Sequence, residues 1–162
     1  PEARTFPGTR IVRVDSSLYF ANTAFLEDYL NAAVFENPGL GNVVLDFSGV
    51  NDIDAVAVET LEELIEGLHA QDVEVHIAAM KGPVRDVTGR AGWPEKFGGR
   101  VAHYSVEGAL RALGVWDEAD RAARGRGAVP GSSEAAGTST PTGTSGADEG
   151  GFRGSRLAEV DR

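Results

Sequence analysis

The sequence predicts an α/β domain built on a small, mostly parallel β-sheet. Two observations carry this. Short apolar runs rich in branched residues recur at residues 43–47 (VVLDF) and 73–79 (VEVHIAA), the composition of strands covered on their faces by helices. After each run the apolar residues change to helical spacing. The order along the chain reads β-β-α-β-α-β-α-β-α, and strands alternating with helices fold as parallel sheets, here with one antiparallel strand near the start.

The elements follow in turn. Residues 10–15 (RIVRVD) form a first strand with Ile11, Val12 and Val14 apolar. Ser16 and Ser17 offer a turn, so residues 18–20 are expected to return as a short antiparallel partner. Asn22 or Thr23 then caps a helix running through Phe35, which buries Phe25 or Leu26, Tyr29, Leu30, Ala33 and Val34 before Asn37, Pro38 and Gly39 stop it.

Residues 43–68 organise the rest. Gly49 permits a sharp turn in the polar loop after the central strand, and Asp54 is placed as an N-cap whose carboxylate accepts from a helix N–H. Val58, Leu61, Leu64, Ile65 and Leu68 then make one apolar stripe. Glu59, Glu62, Glu63 and Glu66 make a second stripe, expected to face water, with partner binding as the sharper alternative.

Gln71 and Asp72 turn the chain into residues 73–79. There Val73, Val75 and Ile77 alternate with Glu74 and His76, so one face of that strand is expected to be thinly covered. Lys81, Gly82 and Pro83 open a third helix with Val84, Val87 and Ala91 on its buried face and Gly92 beyond its end. Residues 101–104 are expected to add a short strand, and Ser105 caps a last helix over residues 106–113, closed by Gly114.

After Trp116 the composition changes. Residues 125–151 are dominated by Gly, Ser, Thr and Pro, too few apolar groups to offset ordering entropy. The chain therefore divides into a folded domain, residues 1–116, and a Gly/Ser/Thr-rich tail, residues 117–162, expected to be disordered. The first residue is Pro1 and the one methionine is Met80, so the sequence reads as a piece of something longer.

Composition narrows the function classes. A formal net charge of -10 argues against a nucleic-acid groove. Without cysteine there is no disulfide, thiol nucleophile or thiolate metal site. No run approaches the roughly 18 apolar residues of a membrane helix. His69, His76 and His103 lie at no metal-ligand spacing, and each is expected to be solvated or half-buried. Asp46, Asp52 and Asp54 have the chemistry to hold magnesium, but capping and loop bonds explain them more cheaply. No nucleophile elbow or phosphate loop occurs. The expectation is a protein without catalysis, metal or cofactor.

Three stretches, LYFANTAFLEDYL from Leu18, VVLDFSGVNDIDAVAVETLEEL from Val43 and KGPVRD from Lys81, resemble the STAS domain. This fold is shared by anti-sigma-factor antagonists and the cytoplasmic ends of SulP anion transporters, and the first and last stretches resemble the transporter branch in particular. The resemblance covers residues 9–113. It implies a small sheet with four helices in a regulatory, protein-interaction role. The domain would lie on the cytoplasmic side of the cell membrane, its partner the membrane-spanning domain of the same sulfate-type transporter. The alternative it leaves is a free-standing partner-switching protein of the antagonist kind. That branch has a phosphoacceptor serine in a D-S-S-G pattern; the matching residues here are Asp54, Ala55, Val56 and Ala57. Val56 has no hydroxyl, so no phosphorylation is expected there, and Ser48 and Thr60 are poorly placed to replace it.

A ligand of an open α/β sheet favours the loops beyond the carboxyl ends of the strands. The loop before the second helix carries Asp52 and Asp54, which would repel an anion. The loop before the third offers Lys81, Arg85 and backbone N–H groups, suited to a nucleotide phosphate, a sulfate or an acidic protein partner. The plainer expectation is that Lys81 or Arg85 pairs with Asp52 across the two loops.

Overall fold

Three strands pair in parallel in the computed structural model, which describes residues 6–126 and 157–159. β1 (Thr9–Val14) lies beside β2 (Asn42–Asp46), and β2 beside β3 (Glu74–Ala78). The registers align Thr9 with Asn42 and Asn42 with Glu74, so the strands start and end together. A short β4 (Leu157–Glu159) pairs antiparallel with the other side of β1, giving the order β3-β2-β1-β4.

The antiparallel strand expected at residues 18–20 does not form. The Leu18 N–H donates to the Asp52 carbonyl at 3.0 Å, and the Asp54 N–H donates to the Leu18 carbonyl at 3.1 Å. Leu18 is thereby drawn into a single parallel bridge with Ile53, and helix begins two residues later. Residues 101–104 also fail to make a strand. They leave a 3-10 turn, and only His103 bridges to Ala78 at the edge of β3.

Six α-helices occur among the described residues, where four were expected. The expected ones are α1 (Phe20–Glu36), α2 (Ala55–His69), α3 (Gly82–Arg90) and α5 (Val106–Ala112). The additional α4 (Trp93–Phe97) follows Gly92, whose φ of 82° ends α3 and redirects the chain so that Trp93 is wholly buried. The 3-10 turn Gly98–Val101 comes next.

The sixth helix, α6 (Val115–Arg126), crosses the boundary placed at 116 and takes the first ten residues of the expected tail. Asp117 and Glu118 occupy its first turn, and Asp120 pairs with Arg124 one turn on at 2.8 Å, charges arranged to suit the helix dipole. Phe6 stacks on Trp116. Apart from α6 and β4, the tail and its expected disorder lie outside the described residues.

The two faces of the sheet are covered unequally. On one, Val12, Val14, Val43, Leu45, Val75 and Ile77 join Leu26 and Leu30 of α1 and Leu61, Ile65 and Leu68 of α2 in one buried cluster that continues to Trp93 and Phe97. Leu26, not Phe25, is the buried member of its pair, and Phe25 is exposed. On the other face, Val44 and Ala78 meet Ala109 and Leu110 of α5, flanked by partly buried Ile11, Val115 and Trp116. The face of β3 expected to be thinly covered is this second one, and it is buried: Ala78 is wholly so and His76 nearly so, beneath smaller side chains than those of the first face.

Candidate functional site

The parallel register brings the carboxyl ends of β1, β2 and β3 to one edge, where α1, α2 and α3 all begin. The loop from β2 to α2 crosses directly over the end of β1. A Cβ on Gly49 would meet the Val14 carbonyl oxygen at 2.5 Å and the Asp15 Cα at 2.7 Å. Glycine is required there by close approach of two backbones.

Asp54 caps two helices at once. Its Oδ1 accepts from the Ala57 N–H of α2 at 2.7 Å, and its Oδ2 accepts from the Phe20 N–H of α1 at 3.3 Å. One half-buried carboxylate thus serves the positive ends of two helix dipoles. At α1 neither Asn22 nor Thr23 is the N-cap. That place is Tyr19, and Asn22 reaches back from the third helical position so that its Oδ1 accepts from the Tyr19 N–H at 2.8 Å. Asp52 is exposed; its Oδ1 accepts from the Ile53 N–H and its Oδ2 from the Tyr19 hydroxyl at 3.3 Å.

The expected ion pair across the loops does not form. Lys81 Nζ donates instead to Asn51 Oδ1 at 2.6 Å. Arg85 turns the other way: its Nη2 donates to the Met80 carbonyl at 3.0 Å and its guanidinium stacks over the Tyr104 ring. The Arg85 backbone N–H, expected to be available to a ligand, makes the first bond of α3 to the Lys81 carbonyl. The two loops are linked through a neutral amide, leaving the Lys81 charge uncompensated by Asp52. Ala79, at the start of the β3–α3 loop, has a φ of 59°, a left-handed conformation unfavourable for alanine.

Val56 stands in the first turn of α2 and is 46% exposed, while Phe20 in the first turn of α1 is 69% exposed. They flank the Asp54 carboxylate that holds both turns, with Tyr19 beside them. Thr60 bonds its hydroxyl to the Val56 carbonyl at 2.9 Å, and Ser48 lies in the loop with its N–H on Asp46 Oδ1. The carboxylate stripe of α2 is broken at Glu62, which accepts from the Trp93 indole at 2.8 Å and pairs with Lys96. Asn51, Tyr19 and Phe20 are the residues of this edge that sequence reasoning missed. The aromatic pair following two serines was the available signal.

The structure also joins two histidines that the sequence separates by 27 residues: His76 Nδ1 lies 3.0 Å from His103 Nε2. Burial lowers both rings below the usual histidine range, and for His76 the neighbouring His103 and Arg100 add to burial while Glu74 opposes it. Glu74 itself bonds His69 and Arg100. Burial works to raise its carboxyl, but Arg100 and His69 outweigh this and hold it below the usual range.

The open sheet thus gathers three helix starts at one edge, with exposed apolar side chains set among opposite charges. Residues 1–109 match the family model for the STAS domain, and the chain belongs to that family. It is 37% identical over 108 residues to the chloroplastic sulfate transporter 4.1 of Arabidopsis thaliana, covering 60% of this chain and 16% of that protein. The STAS domain of a SulP transporter from Vibrio cholerae has the same fold, with a TM-score of 0.58 at 24% identity over 71% of this chain and 88% of that one. The murine anion transporter Slc26a9 in its inward-facing state contains it too, with a TM-score of 0.59 at 23% identity over 68% of this chain and 18% of that chain. The chain thus spans about a sixth of the curated relative it matches. Among the described residues no helix is long and apolar enough to cross a membrane.

Proposed function

We propose that this chain is the cytoplasmic regulatory domain of a SulP-type secondary anion transporter, acting by binding and not by catalysis. The observation that supports this most is the 37% identity over 108 residues to a sulfate transporter, beside the STAS match over residues 1–109. In this reading the membrane-spanning partner lies elsewhere in the same protein, at the cytoplasmic side of the membrane. The surface it or an acidic ligand meets is the carboxyl edge of the sheet. Phe20 and Val56 supply apolar contact there, while Lys81 and Arg85 supply positive charge. Asp52 and Asp54 are spent on Tyr19 and on the two helix starts, so they fix the edge's shape. Val56 at the acceptor position, with Thr60 turned onto the helix backbone, favours this reading over phosphate-driven partner switching.

Antibody against this chain should detect, in native cells, a product several times its size in the membrane fraction. A soluble product of the chain's own size would overturn the proposal. In the complete transporter, Lys81→Glu with Arg85→Glu should change the rate of sulfate uptake at unchanged abundance. Unchanged uptake would remove these two residues from the regulatory surface.

A further inference from the structure

β3 is an edge strand, and its outer side is covered by residues 98–104. The segment is held at its two ends differently: at the first, Arg100 pairs with Glu74 and Val101 is buried, while at the second there is one parallel bridge, Ala78 to His103, with the Ala79 N–H donating to the His103 carbonyl at 2.9 Å. Ala79 is also held at positive φ, so the segment closes over a locally unfavourable backbone. Behind it lies a cavity of about 140 Å³, lined in part by Met80, Arg85, Trp93, Val101 and Tyr104. Residues 98–104 thus wall a cavity that opens beside the Arg85 end of the candidate surface.

The side chains that close this contact are His76 and His103. Their ring centroids are 5.2 Å apart, close to the greatest separation that a 3.0 Å contact between the facing nitrogens and the two ring radii allow, so those nitrogens point almost directly at each other. Such a contact holds only while one nitrogen carries a proton and the other accepts it. A single added proton can sit on an outward nitrogen and leave the bond intact. A second puts N–H against N–H and two cations side by side.

The surroundings disfavour that state. Arg100 from the 3-10 turn adds positive charge near His76, and Glu74 on the same strand is already bonded to Arg100 and His69. From β2 the residue paired with His76 is Val44, and the charged residues Glu107 and Arg111 of α5 bond each other. Glu74 favours charge on His76, but its carboxylate is already shared between Arg100 and His69.

We propose that His76 and His103 form an acid-sensitive latch, closed at neutral pH, whose full protonation releases residues 98–104 from β3 and opens the cavity beside Arg85. The latch stands on this chain's own geometry and does not depend on a membrane setting, so its test leaves the transporter reading untouched either way.

The experiment uses the 162-residue chain, with amide exchange and imidazole nitrogen shifts followed by NMR from pH 7.5 to 5.0. Corrected for intrinsic exchange, protection of the Ala79 amide should fall about tenfold or more as the pair gains its second proton, in step with shifts in residues 98–104. The amides of β2 should stay protected. His103→Gln, whose amide flips to face either state of His76, should keep Ala79 protected across the range. His76→Gln is the reciprocal variant should the first fail to fold. Ala79 protection independent of pH in the native chain would overturn the latch. So would a glutamine variant that loses protection as steeply as the native chain.

Discussion

The two faces of the sheet differ in kind. One is a continuous cluster of large aliphatic and aromatic groups from α1, α2 and α4; the other sets two alanines, Val44 and Leu110 beside a histidine pair, with α5 and α6 as its cover. Branched residues packed on one side fix the strand register, because a slip of one residue would turn that whole set to the other face. The second side, relieved of that task, holds the polar contacts that respond to conditions. Stability and responsiveness are separated across a single sheet.

Core truncation should show the contrast most strongly. Leu45→Ala, in the central strand on the thick face, should cost about 3 kcal/mol, while Leu110→Ala on α5 should cost about 2 kcal/mol because the thin cover can settle into the space. Urea unfolding of both variants measures this. Equal losses would mean the faces are equally rigid. Gly49→Ala should come next, at about 2 kcal/mol, since its Cβ would press on the backbone of β1, which cannot turn aside as a side chain does. A neutral result would show that the crossing of loop and strand is loose.

Much of this was legible because it is local. Asp54, Ser105, Gly92 and Gly114 act within a turn of their own positions, and each performs the cap or stop its residue type suggests. What escaped depends on distance. α1 begins at Phe20, where the local bond from Tyr19 to Asn22 is joined by one to Asp54, 34 residues away, which spacing does not reveal. Residues 101–104 have the composition of a strand, but only one of them reaches β3. The candidate site divides in the same way. Lys81, Arg85, Asp52 and Asp54 all lie on segments that meet at one edge, although the Arg85 side chain turns away from the other three. Their partners, Asn51, the Met80 carbonyl and Tyr104, are set by loop geometry that spacing does not encode.

Asp54 links the thick face to the functional edge. Asp54→Ala should cost about 1–2 kcal/mol, more than an ordinary cap, because it leaves the first turns of both α1 and α2 without their acceptor. Asp54→Asn keeps one acceptor oxygen and should recover α2 in preference to α1. Amide exchange in the two first turns distinguishes them. Loss confined to α2 would show that the longer bond to Phe20 contributes nothing.

The smallest expected effect is the pH dependence of stability, and it belongs to the thin face alone. His76 and His103 both hold protons less tightly in the fold than in the unfolded chain, mainly through burial. Below about pH 6.5 the unfolded chain therefore binds more protons than the native one, and stability falls as pH falls. Above that value their contribution is fully present. Glu74 is also held low, so it acts with the same sign, but only below the ordinary carboxylate range near 4.5. The two windows can be resolved by thermal unfolding at closely spaced pH values. His103→Gln should flatten the curve between pH 6.5 and 5 and leave the lower descent in place, and Glu74→Gln should do the reverse. If Leu45→Ala altered the slope between pH 6.5 and 5 as much as His103→Gln did, the two faces would be titrating as one unit and their separation would fail.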